Sequence, residues 1–508
     1  MYRHNQSQLE FENFSLPFEG KLRSDNRWVK LAKLIPWDKI ERSYSASLAG
    51  TGRGAPAMSV RVALGALIIK ERLGTSDEET VEQIRENPFL QYFLGLNVYE
   101  EEQLFHPTMF VHFRKRFPAG VLMQVNEIIA REAMPAIEKE SKKDQKDDDN
   151  DKPGSSNKGK LIVDATCAPE DINYPTDIKL LNKAREHSEQ IIDELHSHMP
   201  KGTKKPRTYR QKARKAFLKI AKSKGVGKKK RRKGVRQQLG YLSRNLKTIA
   251  KQNQAVSLQC LSRRQYKSLL VISELYRQQK WMYAHDTHRI ADRIVSINKP
   301  HVRPIKRGKA GADTEFGAKI SASVVDGFMF ADRISWNNFN ESTDLIGQIT
   351  SYKKKFGHYP ESVHADKIYR NRENIKFCKA HGIRMSGPKL GRPPKLTEEN
   401  KLKMHKDRKQ ARQDELARIP IEGRFGVAKR RYSLNRVMTK LSFTSKTSIA
   451  ITFIVMNLEK WLRAIFLSLF SGRFIAAILE KPGVVIGSGL LRYDNLLKNR
   501  PPVGSFGT

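Results

Sequence analysis

The sequence predicts an α/β protein, with a mixed α+β sheet, on three observations. LIVDAT (161–166) is a β-branched apolar run of the kind that forms a buried strand. TEFGAKISASVVDGFMFADRIS (314–335) predicts two strands joined by an Asp-Gly turn. An amphipathic helix over 342–357, with a serine N-cap, precedes another short strand at 361–370. This order allows the first and last strands to pair in parallel across the crossover helix.

Helical or polar segments surround the predicted strands. Residues 1–138 predict a helical N-terminal domain, and 175–300 return to helical periodicity. Between the first domain and the first strand, 139–160 contains no apolar residue and ends in Pro, Gly and Ser, which predicts a charged flexible linker. We expect 446–508 to form a C-terminal helix and tail.

The charge of the chain points to a polyanionic partner. Lys and Arg total 95 against 53 Asp and Glu over 508 residues, which leaves a net charge of +42. Residues 201–236 alone hold 18 Lys or Arg and no acid. Contact with a phosphate backbone is favoured over a solvated, disordered tail. Further on, apolar stripes over 239–249 and 269–276 predict a helical hairpin, and ordinary packing and oligomerisation both explain them.

The cysteines and the most apolar stretch argue against zinc knuckles, disulfides and a membrane span. The three cysteines are far apart and form no C-x-x-C, which argues against zinc knuckles and disulfides and fits a reducing cytoplasm. The most apolar stretch, 448–470, is interrupted by Glu459, Lys460 and Arg463, so we expect a packing helix and no membrane contact.

Two acids follow the predicted parallel strands. Asp164 lies near the end of LIVDAT, and Asp366 lies at the exit of the strand ESVHADK. In open α/β sheets, sites form at the carboxyl ends of the strands. Two carboxylates in one cleft repel each other unless a divalent cation holds them.

A third acid completes a candidate site for a hard metal ion. Pro420 suits the first position of a helix, which would place Glu422 in the first turn. Lys429 lies two turns further on the same face, and more cations, Arg430 and Arg436 among them, follow. A carboxylate beside a row of cations suits a helix that holds metal and a phosphodiester.

At this point the motifs resemble those of DDE transposases from small bacterial insertion sequences. The segments that carry the resemblance are LIVDAT, PIKRGKAGADTEFGAK, NNFNES, HADKIYRNREN and IEGRFGVAKRRY. In the related signature Y-x2-R-x3-E-x6-K, Arg418, Glu422 and Lys429 match, whereas Glu415 replaces the tyrosine.

The resemblance implies a ribonuclease-H-like catalytic core over 161–174 and 301–445, interrupted by a basic helical insertion over 175–300. It implies that Asp164, Asp366 and Glu422 are catalytic and bind two Mg²⁺, for which Mn²⁺ would substitute, in a two-metal displacement. It also implies that the N-terminal domain binds DNA ends. The expected DNA contacts are Lys429, Arg430, Arg418, Arg436 and Arg370.

The implied reaction is cleavage at the ends of an insertion element, followed by attack of the 3′-OH on target DNA. The expected partners are double-stranded DNA, as terminal inverted repeats and target, and a second copy of the chain in a synaptic homodimer. We expect a cytoplasmic, nucleoid-associated bacterial protein without membrane contact.

Several alternatives remain at this level. One is a non-catalytic, basic nucleic-acid-binding protein, and another is a nuclease of the same fold that never joins strands. A tyrosine recombinase that uses Tyr369 or Tyr432 is disfavoured by the three acids. Glu315 is the reserve third acid, and packing explains His364 better than a role near the metal.

Overall fold

The computed structural model describes residues 16, 20–46, 57–141, 157–309, 312–387, 391 and 397–479. The predicted linker over 139–160 therefore lies mostly outside the described residues, as does the end of the tail. The described N-terminal part is helical, as predicted. Its helices are α1 (Arg27–Leu34), α2 (Trp37–Ala46), α3 (Val60–Leu73), α4 (Asp77–Glu86), α5 (Pro88–Leu94), α6 (Met109–Arg116) and α7 (Ala119–Ser141).

Local sequence signals define several of these helix ends. Ser76 accepts a hydrogen bond from the backbone N–H of Glu79 and thereby caps α4. Gly74 ends α3 in a left-handed conformation, φ 71°, which glycine adopts at little cost.

A six-stranded mixed sheet forms the centre of the chain. Its strands are β1 (Lys160–Pro169), β2 (Arg303–Lys309), β3 (Ala312–Val325), β4 (Phe328–Ser335), β5 (Ser362–His364) and β6 (Arg384–Met385). The order is β2-β3-β1-β5-β6, with β4 also pairing with β3. β1 is antiparallel to β3 and parallel to β5. The predicted parallel pairing of the two acid-bearing strands is therefore confirmed.

The two predicted strands and the Asp-Gly turn between them are present. β3 and β4 meet at Asp326 and Gly327, which have φ values of 48° and 74°, so two consecutive residues adopt the positive φ of a primed turn. A second constraint lies at Gly317, where a side-chain Cβ would collide with the carbonyl of Ala168 on β1.

The start of the crossover helix differs from the prediction. Ser342 is buried within a short 3-10 helix, Glu341–Asp344, and Asn340 is the capping residue because its Oδ1 accepts from the N–H of Ser342 at 3.2 Å. The helix proper is α12 (Leu345–Phe356), which begins after that turn.

The insertion between β1 and β2 folds into a packed helical bundle. It consists of α8 (Asp177–Ser197), α9 (Arg210–Ala221), α10 (Lys228–Asn253) and α11 (Arg263–Ala284). Leu242 and Ile272 from the two predicted stripes are fully buried against Leu181 of α8. These stripes therefore serve packing within one chain.

The C-terminal part contains α13 (Arg372–Ala380), α14 (Glu398–Arg431) and α15 (Ser442–Leu479). Pro420 lies inside α14, so the prediction that it starts a helix is wrong. The neighbouring Leu416 and Ile419 are exposed, and water can satisfy the carbonyl that a proline leaves without its helical donor.

None of the helices in the described part of the chain is long and apolar enough to cross a membrane.

Candidate active site

Asp164 and Asp366 lie at matching positions just past the parallel ladder, but β1 continues to Pro169, so Asp164 lies within its strand and not at the strand end that was predicted. The ladder between β1 and β5 pairs Lys160 with Ser362 and ends at Ile162 opposite His364. Asp164 and Asp366 each follow that last pair by two residues. Asp366 Oδ1 accepts a 2.7 Å hydrogen bond from the N–H of Lys367 and caps the 3-10 helix Lys367–Tyr369.

Few hydrogen-bond donors or cations offset the partial burial of the Asp164 carboxylate. Its side chain is 19% exposed, and burial raises its pKa to about 6. The N–H of Ala165, which donates to Oδ1 at 2.8 Å, and Arg418 act in the opposite direction, whereas Glu341 and Asp366 raise the pKa further. Several negative groups therefore surround Asp164, and a cation there would be stabilised.

Helix α14 brings Arg418 and Glu422 to this edge of the sheet. Arg418 Nη1 lies 4.0 Å from Asp164 Oδ2, and Arg418 Nη2 lies 3.1 Å from Glu422 Oε1. One guanidinium group thus stands between the first and third predicted acids. The Glu422 side chain is 55% exposed, so it has room to move.

The other predicted cations of this region follow α14 and the segment after it. Lys429 Nζ lies 4.0 Å from Glu315 Oε2, so the reserve acid is next to this lysine and not beside Asp164. Arg436 donates to Asp171 Oδ1 at 2.7 Å through Nη2, and its side chain is 66% exposed. Arg430 is exposed.

Arg370 is placed differently from the other predicted DNA contacts. Its Nη1 donates to the carbonyl oxygens of Met385 and Ser386, at 3.2 and 2.5 Å, and burial lowers its pKa. These bonds attach the turn after Asp366 to the end of β6. Its predicted contact with DNA stays a prediction.

The three predicted acids do not yet form a closed metal cage. Within the described ranges, no group of three or more Asp, Glu, His or Cys side chains is close enough together to hold a metal ion. The guanidinium of Arg418 lies between two of the predicted acids, Asp164 and Glu422. The donors themselves suit a hard divalent cation, since all are carboxylate oxygens.

Glu341 is a residue near the site that the sequence reasoning missed. Its charge raises the pKa of Asp164, and Lys319 Nζ binds its carboxylate at 2.7 Å. The segment NNFNES, which contains Glu341, carries part of the family resemblance, and this was the signal available in the sequence.

Tyr369 is fully buried, and burial first, followed by nearby acids including Glu341 and Asp164, raises its pKa. A phenol in that setting is a poor nucleophile, which argues against a tyrosine recombinase that uses Tyr369. His364 is buried within the sheet and has Ser362 as a hydrogen-bond partner at 3.1 Å, as expected of a packed histidine.

Comparison with known proteins shows which families two parts of the chain match. Residues 363–459 match the family described as "Transposase DDE domain", and residues 16–116 match "Transposase domain (DUF772)". The first match contains Asp366, Arg418, Glu422 and Lys429, whereas Asp164 lies outside both. These two matches confirm the resemblance to a DDE transposase of an insertion sequence.

One relative extends the comparison. The chain is 28% identical over 157 residues, 31% of its length, to "Uncharacterized protein ORF8 in nfe locus" of Rhizobium meliloti, and the match covers 68% of that protein. No solved structure is significantly similar.

Proposed function

We propose that this transposase cuts phosphodiester bonds at the ends of an insertion element and joins the resulting 3′-OH to target DNA. The supporting observation is the placement of Asp164 and Asp366 two residues beyond a parallel strand pair, with Glu422 linked to Asp164 through Arg418. Along the part of β3 that pairs with β4, the strand order is β4-β3-β1-β5-β6. β4 and β1 are both antiparallel to β3, whereas β1, β5 and β6 are parallel, which agrees with a ribonuclease-H-like core.

Asp164, Asp366 and Glu422 are the residues that would hold divalent metal. A bound Mg²⁺ pair would activate the attacking oxygen and stabilise the leaving oxygen of an in-line displacement. The raised pKa of Asp164 and the acids around it fit such a role, because a site built for cations contains more negative charge than its own side chains neutralise.

Arg418 has two tasks in this proposal. In the metal-free protein its guanidinium pairs with Glu422 and lies 4.0 Å from Asp164. If these carboxylates held metal, the guanidinium would be available to a DNA phosphate, for which its planar fork is well suited. Lys429, on the same helix, holds the phosphate backbone further along.

The proposed partner is double-stranded DNA, as terminal inverted repeats and as target. Two ends must be brought together for transposition, so we propose that the working unit is a homodimer in a synaptic complex, with the N-terminal helices binding the ends. The net charge of +42 supports this polyanionic partner.

The test is a cleavage and joining assay with the full chain and a duplex from the DNA that flanks the coding region. We expect cleavage to require Mg²⁺ or Mn²⁺, and Asp164→Asn, Asp366→Asn and Glu422→Gln each to abolish it while duplex binding persists. The matched control is Glu361→Gln, an exposed acid before β5 whose loss should leave cleavage unchanged.

A pre-cut duplex with a 3′-OH end separates joining from hydrolysis. Transfer of that end to a second duplex supports the proposal. Hydrolysis without transfer would indicate the nuclease alternative, and binding without any metal-dependent cleavage would indicate the non-catalytic binder.

A further inference from the structure

A basic cleft lies where the insertion bundle meets the end of β1, and it is separate from the carboxylates. Its volume is about 1300 Å³. One wall is formed by α8 and the start of α11, and the other by 171–175 and 438–440. The cleft thus has walls from both the insertion and the sheet region.

The charge in this cleft is mostly positive. Seven cations line it, namely Lys179, Lys183, Arg263, Arg264, Lys267, Lys299 and Lys440, of which Lys299 is bound to the buried Glu170. Among the described residues of the lining, Asp171 is the one carboxylate, and Arg436 already binds it at 2.7 Å. Such a surface attracts a polyanion.

Cations of the cleft also lower the pKa of two histidines, although burial is the larger cause. Burial, and then Lys183 and Arg264, lowers the pKa of His187, whose Nδ1 lies 2.9 Å from Ser268 Oγ. Burial, followed by Lys299 and Lys267, lowers the pKa of His301 to about 4.

The second large cleft of the molecule is different. It lies on the other side of the start of α8, and its acids Asp177 and Asp286 are already bound by cations of the same cleft. Arg293 lies 2.8 Å from Asp177, and Arg232 lies 2.7 Å from Asp286. Three of its seven lining cations, Lys228, Arg232 and Arg293, bind these two acids, so this cleft is also positive but keeps fewer cations for a polyanion than the basic cleft does.

The basic cleft lies further along the direction of β1 from the candidate active site. Helix α14 runs along β1, because Arg418 contacts Asp164 whereas Lys429 contacts Glu315, two residues from the partner of Pro169. Asp171 follows Asp164 by seven residues, which is at most about 23 Å at about 3.3 Å per residue, because β1 ends at Pro169 and the chain turns at 170–172. This upper limit corresponds to about seven base pairs at about 3.4 Å each.

We propose that this cleft binds the phosphate backbone of duplex DNA up to about seven base pairs from the bond that is cut. The inference rests on the proposed function in one respect, because it takes Asp164 as the position of the reacting phosphate. Duplex is favoured over single-stranded DNA because the described lining contains only two aromatic side chains, Tyr174 and Phe217, and single strands are bound on rows of aromatic rings.

The test compares two triple variants of the full chain by fluorescence anisotropy without divalent metal. Arg264→Ala/Lys267→Ala/Lys440→Ala removes three charges from both walls of the cleft. The matched control, Lys212→Ala/Lys215→Ala/Lys219→Ala, removes three exposed charges from α9 that line neither cleft. Both lose the same net charge, so only position differs.

With a 30-base-pair duplex that spans an element junction, we expect the cleft variant to bind roughly 30–100-fold more weakly at 0.15 M salt. The salt dependence of log K should fall by about 2.7, from three lost phosphate contacts. The control should change affinity less than about threefold. Equal or larger loss in the control would overturn the proposal and favour the 201–236 cluster as the main contact.

A second duplex, shortened to about four base pairs on one flank of the junction, tests the distance. On one of the two flanks, shortening the duplex should weaken binding by the unaltered protein by the same factor as the triple substitution in the cleft does on the full duplex. The same shortening should not weaken binding by the cleft variant any further. Additive losses on both flanks would overturn the proposed position. These measurements need no cleavage, so a chain that binds in this pattern but never cuts refutes the proposed function separately.

Discussion

Two carboxylates in different regions of this molecule, the buried Glu71 and the partly buried Asp164, are stabilised to very different extents. Glu71, on α3, accepts hydrogen bonds from the N–H and hydroxyl of Ser433 and from the hydroxyl of Thr452. Asp164 has one backbone donor, a guanidinium 4.0 Å away and two acids that raise its pKa.

This difference indicates a structural role for Glu71 and a cation-binding role for Asp164. Glu71 joins the N-terminal helices to the segment after α14 and to α15, and three donors satisfy it. Asp164 is desolvated without enough donors, which costs stability and leaves the carboxylate available to a cation. Removing each carboxylate should therefore have opposite effects on the free energy of unfolding.

The largest expected effect is that of Asp164→Asn on catalysis and stability together. We expect cleavage to fall by at least about 10³-fold, because a metal-binding carboxylate is lost. At pH 7.5 the free energy of unfolding should rise by about 1–3 kcal/mol, because the pKa of about 6 means that ionisation of Asp164 opposes folding.

The stability gain expected of Asp164→Asn should depend on pH. A raised pKa gives a penalty that is fully present above pH 6 and disappears toward pH 3.8. Urea unfolding at pH 7.5 and pH 5 should therefore show the advantage of the Asn variant shrinking at the lower pH. A variant less stable than the unaltered chain at pH 7.5 would contradict this account.

Glu71→Ala should act in the opposite direction. The substitution leaves the donors of Ser433 and Thr452 buried without their acceptor, and we expect the free energy of unfolding to fall by about 2–4 kcal/mol. Glu86→Ala, an exposed acid at the end of α4, is the control and should stay within about 0.5 kcal/mol. Equal effects of the two substitutions would show that the bonds of Glu71 contribute little.

Metal binding should depend on the protonation of Asp164. Below pH 6 a proton competes with the cation, so the affinity for Mn²⁺ should fall by up to about tenfold per pH unit. Titration calorimetry from pH 5 to 7.5 measures this. Any residual binding by Asp164→Asn should lack a midpoint near pH 6, and an unchanged pH profile would exclude Asp164 as a ligand.

The smallest expected effect concerns a single hydroxyl of the Glu71 network. Thr452→Val removes one donor, and we expect a loss of about 1 kcal/mol in the free energy of unfolding. Thr350 is a matched control, because both hydroxyls also bond the carbonyl one helical turn earlier but Thr350 is exposed on α12 and meets no carboxylate. Similar losses for Thr452→Val and Thr350→Val would mean that the bond to Glu71 adds nothing.

The features predicted correctly are those set by short-range patterns. The Asp326-Gly327 turn follows from two adjacent residues that tolerate positive φ, and the strand–hairpin–helix–strand order led to the parallel pairing of β1 and β5. The start of a helix was less predictable. Pro420 suits a first turn, yet α14 continues through it, and the carbonyl that the proline leaves without a helical donor belongs to the exposed Leu416.

The sequence by itself determined the motifs, the strand order and the positive charge, because periodicity, turn chemistry and charge are local properties of the chain. Only the tertiary structure decided that Arg418 stands between Asp164 and Glu422, that Glu341 adds its charge to the site, and that cations from α8, α11 and Lys440 share one cleft. These depend on distances between residues remote in sequence, and electrostatic energy depends on distance and burial, which no local pattern contains.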